Sequence, residues 1–233
     1  MRDGMRTLFE PAQAGITADT RILFLPAAYT DPEDFVRAGF VSAVRDRELP
    51  LDLVFAELNL QHLTDRTILR RVRHELVLPA RALGCRSIWL CGISLGGFIG
   101  LSFAERYASE IDGLCLLAPY LGNHMIVGEI ERAHGIAAWD PGDPAPDDDE
   151  RRLWRFIKSE PGGRVAIRLG YGREDRFANG QRMLADALHP SQVQVIPGGH
   201  EWPVWSQLWA DFLDSQFVDQ DRNAQSSAAV SNS

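Results

Sequence analysis

Short apolar runs alternate with amphipathic stretches along most of the chain. Thr20–Ala28 (TRILFLPAA), a compact apolar run, reads as a buried strand, and Pro50–Leu58 (PLDLVFAEL), Arg86–Cys91 (RSIWLC), Ile111–Ala118 (IDGLCLLA), Arg164–Leu169 (RVAIRL) and Gln192–Ile196 (QVQVI) each read as a further strand. Between them, Phe35, Val36, Phe40 and Val44 recur at helical spacing and predict a helix over Pro32–Arg47. Ile68, Leu69, Val72 and Leu76 predict another over Asp65–Leu83, with Thr64 or Asp65 as its N-cap and Gly84 as its stop. Further helices are predicted from Leu95 to about Tyr107, near Asn179–Leu188, and over roughly Pro203–Phe217.

Strands alternating with helices predict an α/β fold: a mostly parallel, doubly wound sheet with helices on both faces. The alternation breaks once, over about residues 120–163, a stretch too long for an ordinary loop. It holds Pro141, Gly142, Pro144 and Pro146, the acidic run Asp147–Glu150, and an amphipathic segment with Leu153, Trp154 and Ile157. It reads as a small inserted cap whose helix is capped by Asp147. Residues 1–218 are expected to form one domain, and 219–233, polar and without periodicity, a disordered tail.

Composition narrows the chemistry. The formal net charge of -8 disfavours nucleic acid and anionic membranes as partners. Lys158 is the only lysine and no G-x-x-x-x-G-K-[ST] loop is present, which excludes phosphate-loop nucleotide hydrolysis and leaves a Schiff base a single candidate. Cys85, Cys91 and Cys115 lie among apolar residues and read as buried thiols rather than as disulfides or metal ligands. Met1–Thr20 lacks the apolar core of a secretory signal, and no apolar run approaches the ~20 residues of a membrane helix, so a cytoplasmic protein is expected.

The chemistry concentrates in Cys91-Gly92-Ile93-Ser94-Leu95-Gly96-Gly97, a G-x-S-x-G between a predicted strand and a predicted helix. A serine held on so sharp a turn projects its hydroxyl from the sheet, and the helix N-terminus favours negative charge beside it. A hydroxyl is a poor nucleophile at neutral pH and needs a base, which in turn needs an acid to orient it. Both follow later strands: Gly172-Arg173-Glu174-Asp175 after the fifth, and Pro197-Gly198-Gly199-His200 after the sixth. Glu174, and Asp140 or Asp143 in the cap, are alternative carboxylates, and His124 and His134 fall in the cap.

From about Thr20 to Phe217 the chain resembles a compact member of the α/β-hydrolase superfamily, on GISLGG, GREDRF and PGGHEW. The resemblance implies Ser94 as nucleophile, Asp175 as triad acid, His200 as base and a lid over residues 120–163. One oxyanion donor is expected to be the Leu95 N–H. The second should come from the loop Pro26–Asp31, where Pro26-Ala27 replaces the His-Gly of many relatives; the Ala28 N–H is chosen. Tyr29, Tyr120 and Trp202 are candidates for the pocket wall. The activity expected is hydrolysis of a small carboxylic ester or thioester through an acyl-serine, with no metal and no organic cofactor. An inactive binding protein of the same fold, or a triad enzyme acting on C–C or peptide bonds, are the alternatives, and self-association is compatible with either.

Overall fold

The computed structural model describes residues 4–59, 61–159, 163 and 165–219. Seven strands form one sheet: β1 (Thr7–Glu10), β2 (Thr20–Leu25), β3 (Leu51–Ala56), β4 (Ser87–Ile93), β5 (Gly113–Leu117), β6 (Ala166–Gly172) and β7 (Val193–Ile196). Their order is β1-β3-β2-β4-β5-β6-β7, with β1 antiparallel on β3 and every other pairing parallel. Right-handed crossovers to opposite sides of β2 place helices on both faces. The direction of winding reverses between β2 and β4, so a crevice opens where their carboxyl ends part.

Alternation along the strands feeds two cores. Leu23, Leu25, Ile88 and Leu90 face α4 (Ile68–Arg71), α5 (Leu78–Ala82), α6 (Leu95–Tyr107), α7 (His124–Arg132), α8 (Asp149–Ser159) and α9 (Ala178–Asp186). Ile22, Phe24, Trp89 and Cys91 face α1 (Pro32–Arg37), α2 (Phe40–Arg45) and α10 (Trp202–Leu213). Phe24 sits centrally in this second core, its ring 4.5 Å from that of Phe55 and 5.1 Å from that of Trp209. All three cysteines are buried, and burial pushes the Cys91 thiol well above its ordinary pKa.

Several predicted boundaries move, each for a local reason. β2 ends at Leu25 because Pro26 has no N–H to continue the ladder. The helix expected over Pro32–Arg47 is two helices, broken at Gly39, which adopts φ 84°. The helix expected from Asp65 begins at Ile68 with Thr67 as its cap. Asp65 instead accepts hydrogen bonds from the Thr67 N–H and hydroxyl, behind the short α3 (Gln61–Thr64). Between α4 and α5 the helix widens into a π-turn over Val72–Val77, one turn before Pro79, whose ring would crowd a regular helix.

Besides α3, two elements were not anticipated. β1 is a four-residue edge strand with no fully buried side chain, so it carries no hydrophobic alternation. α7 lies in the segment between β5 and β6 and is capped by Asn123, whose side chain accepts from the Met125 and Ile126 N–H groups. In the same segment the start of α8 is held by Asp148, not Asp147: the Arg151 N–H donates to Asp148 Oδ1. The expected tail beyond Asp219 lies outside the described residues.

Among the described residues no helix is long and apolar enough to cross a membrane. Nor does any group of three or more His, Cys, Asp or Glu side chains there have the arrangement to hold a metal ion.

Candidate active site

Ser94 stands at the end of β4 with φ 52° and ψ −112°, a backbone conformation unusual for a residue with a side chain. Close packing enforces the turn. A Cβ on Gly92 would meet the Gly96 carbonyl oxygen at 2.4 Å, and one on Gly96 would meet that of Leu25 at 1.9 Å. The second contact presses the loop after β2 against the first turn of α6. Ser94 is held from beneath as well: its N–H donates to the Leu117 carbonyl, and its own carbonyl accepts from the Gly97 and Tyr120 N–H groups. The Ser94 backbone is thus held on both its N–H and its carbonyl, which fixes the turn that carries the hydroxyl.

His200 reaches this hydroxyl. Its Nε2 lies 2.9 Å from Ser94 Oγ, and its Nδ1 lies 2.7 Å from Asp175 Oδ2. Asp175 is 5% exposed, and its other oxygen accepts from the Phe177 N–H at 2.8 Å. The three side chains come from the ends of β4, β6 and β7, so the sheet itself brings them together. The loops after β6 and β7 are tied by Arg173 N–H to the Ile196 carbonyl and Glu174 N–H to the Gly198 carbonyl. Glu174, the neighbouring carboxylate, accepts from the Gly198 N–H and thus braces the histidine loop rather than the imidazole. Asp140 caps the Gly142 N–H and Asp143 pairs with Arg155. His124 and His134 are exposed.

The surroundings differ in part from those expected. Tyr120 borders a cleft with Leu63, Leu95 and Phe98, and its hydroxyl donates to Glu150 Oε1 at 2.7 Å. Burial and this carboxylate together raise the Tyr120 pKa. Tyr29, in contrast, is 92% exposed. The Trp202 ring packs on Phe35 and Phe40 at 5.4 and 6.0 Å and on Trp205. The rings that flank His200 are Phe177 and Trp205, each edge-on at 5.1 Å. Neither had been singled out. Trp205 lies one helical turn beyond Trp202, and spacing alone does not distinguish which of the two turns inward. Leu95 opens α6, where the first N–H groups have no intrahelical partner, and Ala28 is exposed in the loop pressed against that turn.

No protein-family model and no curated protein matches the chain. Solved structures resemble it in fold. An S-formylglutathione hydrolase (FrmB) from Staphylococcus aureus superposes with a TM-score of 0.62 at 12% identity, over 84% of this chain and 80% of that one. Est1E from Butyrivibrio proteoclasticus superposes with a TM-score of 0.61 at 16% identity, over 92% and 95%. An alpha-beta serine hydrolase homologue from Coxiella burnetii gives 0.55 at 14% identity, over 91% of each.

Proposed function

We propose that this chain, which has the α/β-hydrolase fold, is a serine hydrolase that cleaves carboxylic esters through an acyl-serine intermediate on Ser94. One observation carries the reading: hydroxyl, imidazole and carboxylate stand in series, at 2.9 Å between Ser94 and His200 and 2.7 Å between His200 and Asp175. A hydroxyl so placed can lose its proton as it attacks, and the charge that develops on the imidazole is met by a buried carboxylate.

In the proposed reaction Ser94 Oγ attacks the ester carbonyl while His200 Nε2 takes its proton. The Leu95 N–H, with the Ala28 N–H as second donor, receives the oxyanion, stabilised by the N-terminal end of α6. Collapse expels the alcohol, which takes the proton back from His200. Water then repeats the two steps on the acyl-enzyme. Asp175 holds the imidazole in the tautomer that presents Nε2 to the hydroxyl. No step calls for a metal or an organic cofactor.

Labelling with a fluorophosphonate probe, beside turnover of p-nitrophenyl acetate, tests the reading. Ser94→Ala is expected to abolish labelling and to lower kcat by about 10⁴–10⁶. Equal turnover by the variant and the parent protein would refute the proposed nucleophile.

A further inference from the structure

Below the elbow, one face of α6 forms the floor of a groove. Leu95, Phe98, Ser102, Glu105 and Arg106 succeed each other along it at helical spacing. The groove has two parts. The outer cleft, of about 660 Å³, begins at Leu95 beside Ser94 and is bounded by Tyr120. The inner cavity, of about 290 Å³, continues past Phe98 between α4 and α8. Leu63, Phe98 and Asp149 border both parts, so the two are continuous.

The character of the groove changes along its length. Around Phe98 the walls are apolar, with Leu63, Ile68, Leu69, Ile99 and Leu153 contributed by four separate elements. Farther on, the Ser102 hydroxyl is buried without a hydrogen-bond partner among the described residues. The inner cavity also carries three guanidiniums, of Arg66, Arg106 and Arg152, and two carboxylates, of Glu105 and Asp149, with Arg66 and Asp149 near the junction and Arg106 and Glu105 farthest along α6. Arg152 is committed to Glu105 at 2.7 Å, and Arg66 to Asp149 at 3.3 Å. Arg106 is exposed to solvent and has no hydrogen-bond or ion-pair partner among the described residues, in a protein whose net charge is -8. A buried hydroxyl lacking a partner would be satisfied by an acceptor-bearing chain end, and the solvent-facing Arg106 guanidinium beyond it offers such a chain end a charge partner.

From these features we infer that the groove is the acyl site of the proposed esterase, and that it takes an acyl chain of medium length ending in a carboxylate: the substrate is a half-ester of a dicarboxylic acid. The inference rests on the hydrolase reading above. Its length follows from the helix. Leu95 to Ser102 spans roughly 10 Å and Leu95 to Arg106 roughly 16 Å at 1.5 Å per residue. An extended chain advancing about 1.25 Å per carbon covers those spans with about eight to thirteen carbons. The inner cavity has room for about ten methylene-sized groups at ~30 Å³ each, which agrees.

The test compares p-nitrophenyl acetate, p-nitrophenyl octanoate and the mono-p-nitrophenyl ester of the eight-carbon diacid, suberic acid. The half-ester is expected to exceed octanoate in kcat/KM by about five- to tenfold, a factor suited to a partly solvated charge pair. Arg106→Gln should erase that preference and Ser102→Ala should reduce it, while acetate turnover by both variants stays within twofold of the parent. Octanoate turned over as well as the half-ester, with Arg106→Gln without effect, would overturn the inference. A binding arm separates this from failure of the hydrolase reading. Monomethyl suberate is titrated calorimetrically into Ser94→Ala, with and without Arg106→Gln. Arginine-dependent binding in a protein without serine-dependent turnover would leave the pocket standing and refute only the esterase.

Discussion

Gly172 lies so close to Gly198 that a Cβ on it would sit 2.2 Å from the Gly198 carbonyl oxygen and 2.9 Å from that of Gly199. The end of β6, which leads to the proposed acid, and the loop that leads to the proposed base are thus pressed backbone to backbone. The spacing of His200 from Ser94 is set here as much as at the elbow.

Gly172→Ala should therefore act on catalysis through position alone. The added methyl meets backbone atoms, which cannot swing aside as a side chain would, so the His200 loop must move. Displacing a catalytic group by about 1 Å costs on the order of 10² in rate, and kcat on p-nitrophenyl acetate is expected to fall by about that factor. Circular dichroism should still report a folded protein, since overpacking of this kind typically costs about 1–3 kcal/mol. Turnover within twofold of the parent would mean that the two loops are not mechanically coupled.

Asp175→Asn separates the two adjacent carboxylates. The amide oxygen can still accept from the Phe177 N–H, as Asp175 Oδ1 does at 2.8 Å. It leaves an uncharged, donor-bearing group against His200 Nδ1, which favours the wrong imidazole tautomer. A fall of about 10⁴ in kcat is expected. Glu174→Gln should do far less, because Glu174 is bonded to the Gly198 N–H and not to the ring. Burst kinetics on both variants measure the difference. Equal losses would reassign the acid.

The fold was legible in the chain to the extent that burial was two-sided. The inner strands are near-continuous apolar runs, and β4–turn–α6 is specified by glycines that only a tight elbow requires. β1 escaped because an edge strand with Phe9 49% exposed shows no alternation to read. α7 escaped because its buried stripe is only Ile126 and Ile130, within a segment otherwise rich in turn residues. The order Ser94, Asp175, His200 could be read from three glycine-rich strand ends. The rings around the imidazole could not, because adjacency to His200 in sequence favours Trp202 while the rotation of α10 turns Trp205 inward.

The segment between β5 and β6 carries its own pH dependence. Glu129 on α7 accepts from Arg151 on α8 at 2.6 and 2.7 Å and from the Trp139 indole at 2.9 Å. Arg151 first, and Trp139 second, hold the Glu129 carboxyl at about 2, against an ordinary 4.5. A carboxylate with a depressed folded pKa stabilises fully above its unfolded value and loses that contribution as pH falls through the folded one. Glu129→Gln should thus lower Tm most above about pH 5. The gap from the parent should shrink as pH falls toward 3. A gap constant over that range, in thermal melts followed by circular dichroism, would show that the charge on Glu129 is immaterial.

Trp205 presents the last test, because it is both a wall of the imidazole and a buried polar group without a partner among the described residues. Its ring lies 5.1 Å from His200, it is 5% exposed, and no described residue bonds its Nε1. A buried N–H left unpaired costs about 1–3 kcal/mol. Trp205→Phe removes that penalty along with part of the ring, so its cavity cost is largely offset and Tm should change by only a few degrees. Trp205→Ala removes the whole ring and should cost about 3–5 kcal/mol. The two variants also differ at the site. Phenylalanine keeps an aromatic surface against His200 and should hold kcat within about tenfold, whereas alanine frees the imidazole on one side and should lower kcat well beyond that. Urea unfolding paired with acetate turnover measures both. A Trp205→Phe protein as unstable as Trp205→Ala would show that the indole N–H has a partner after all, and the ring would then be a hydrogen-bonded brace rather than a packed wall.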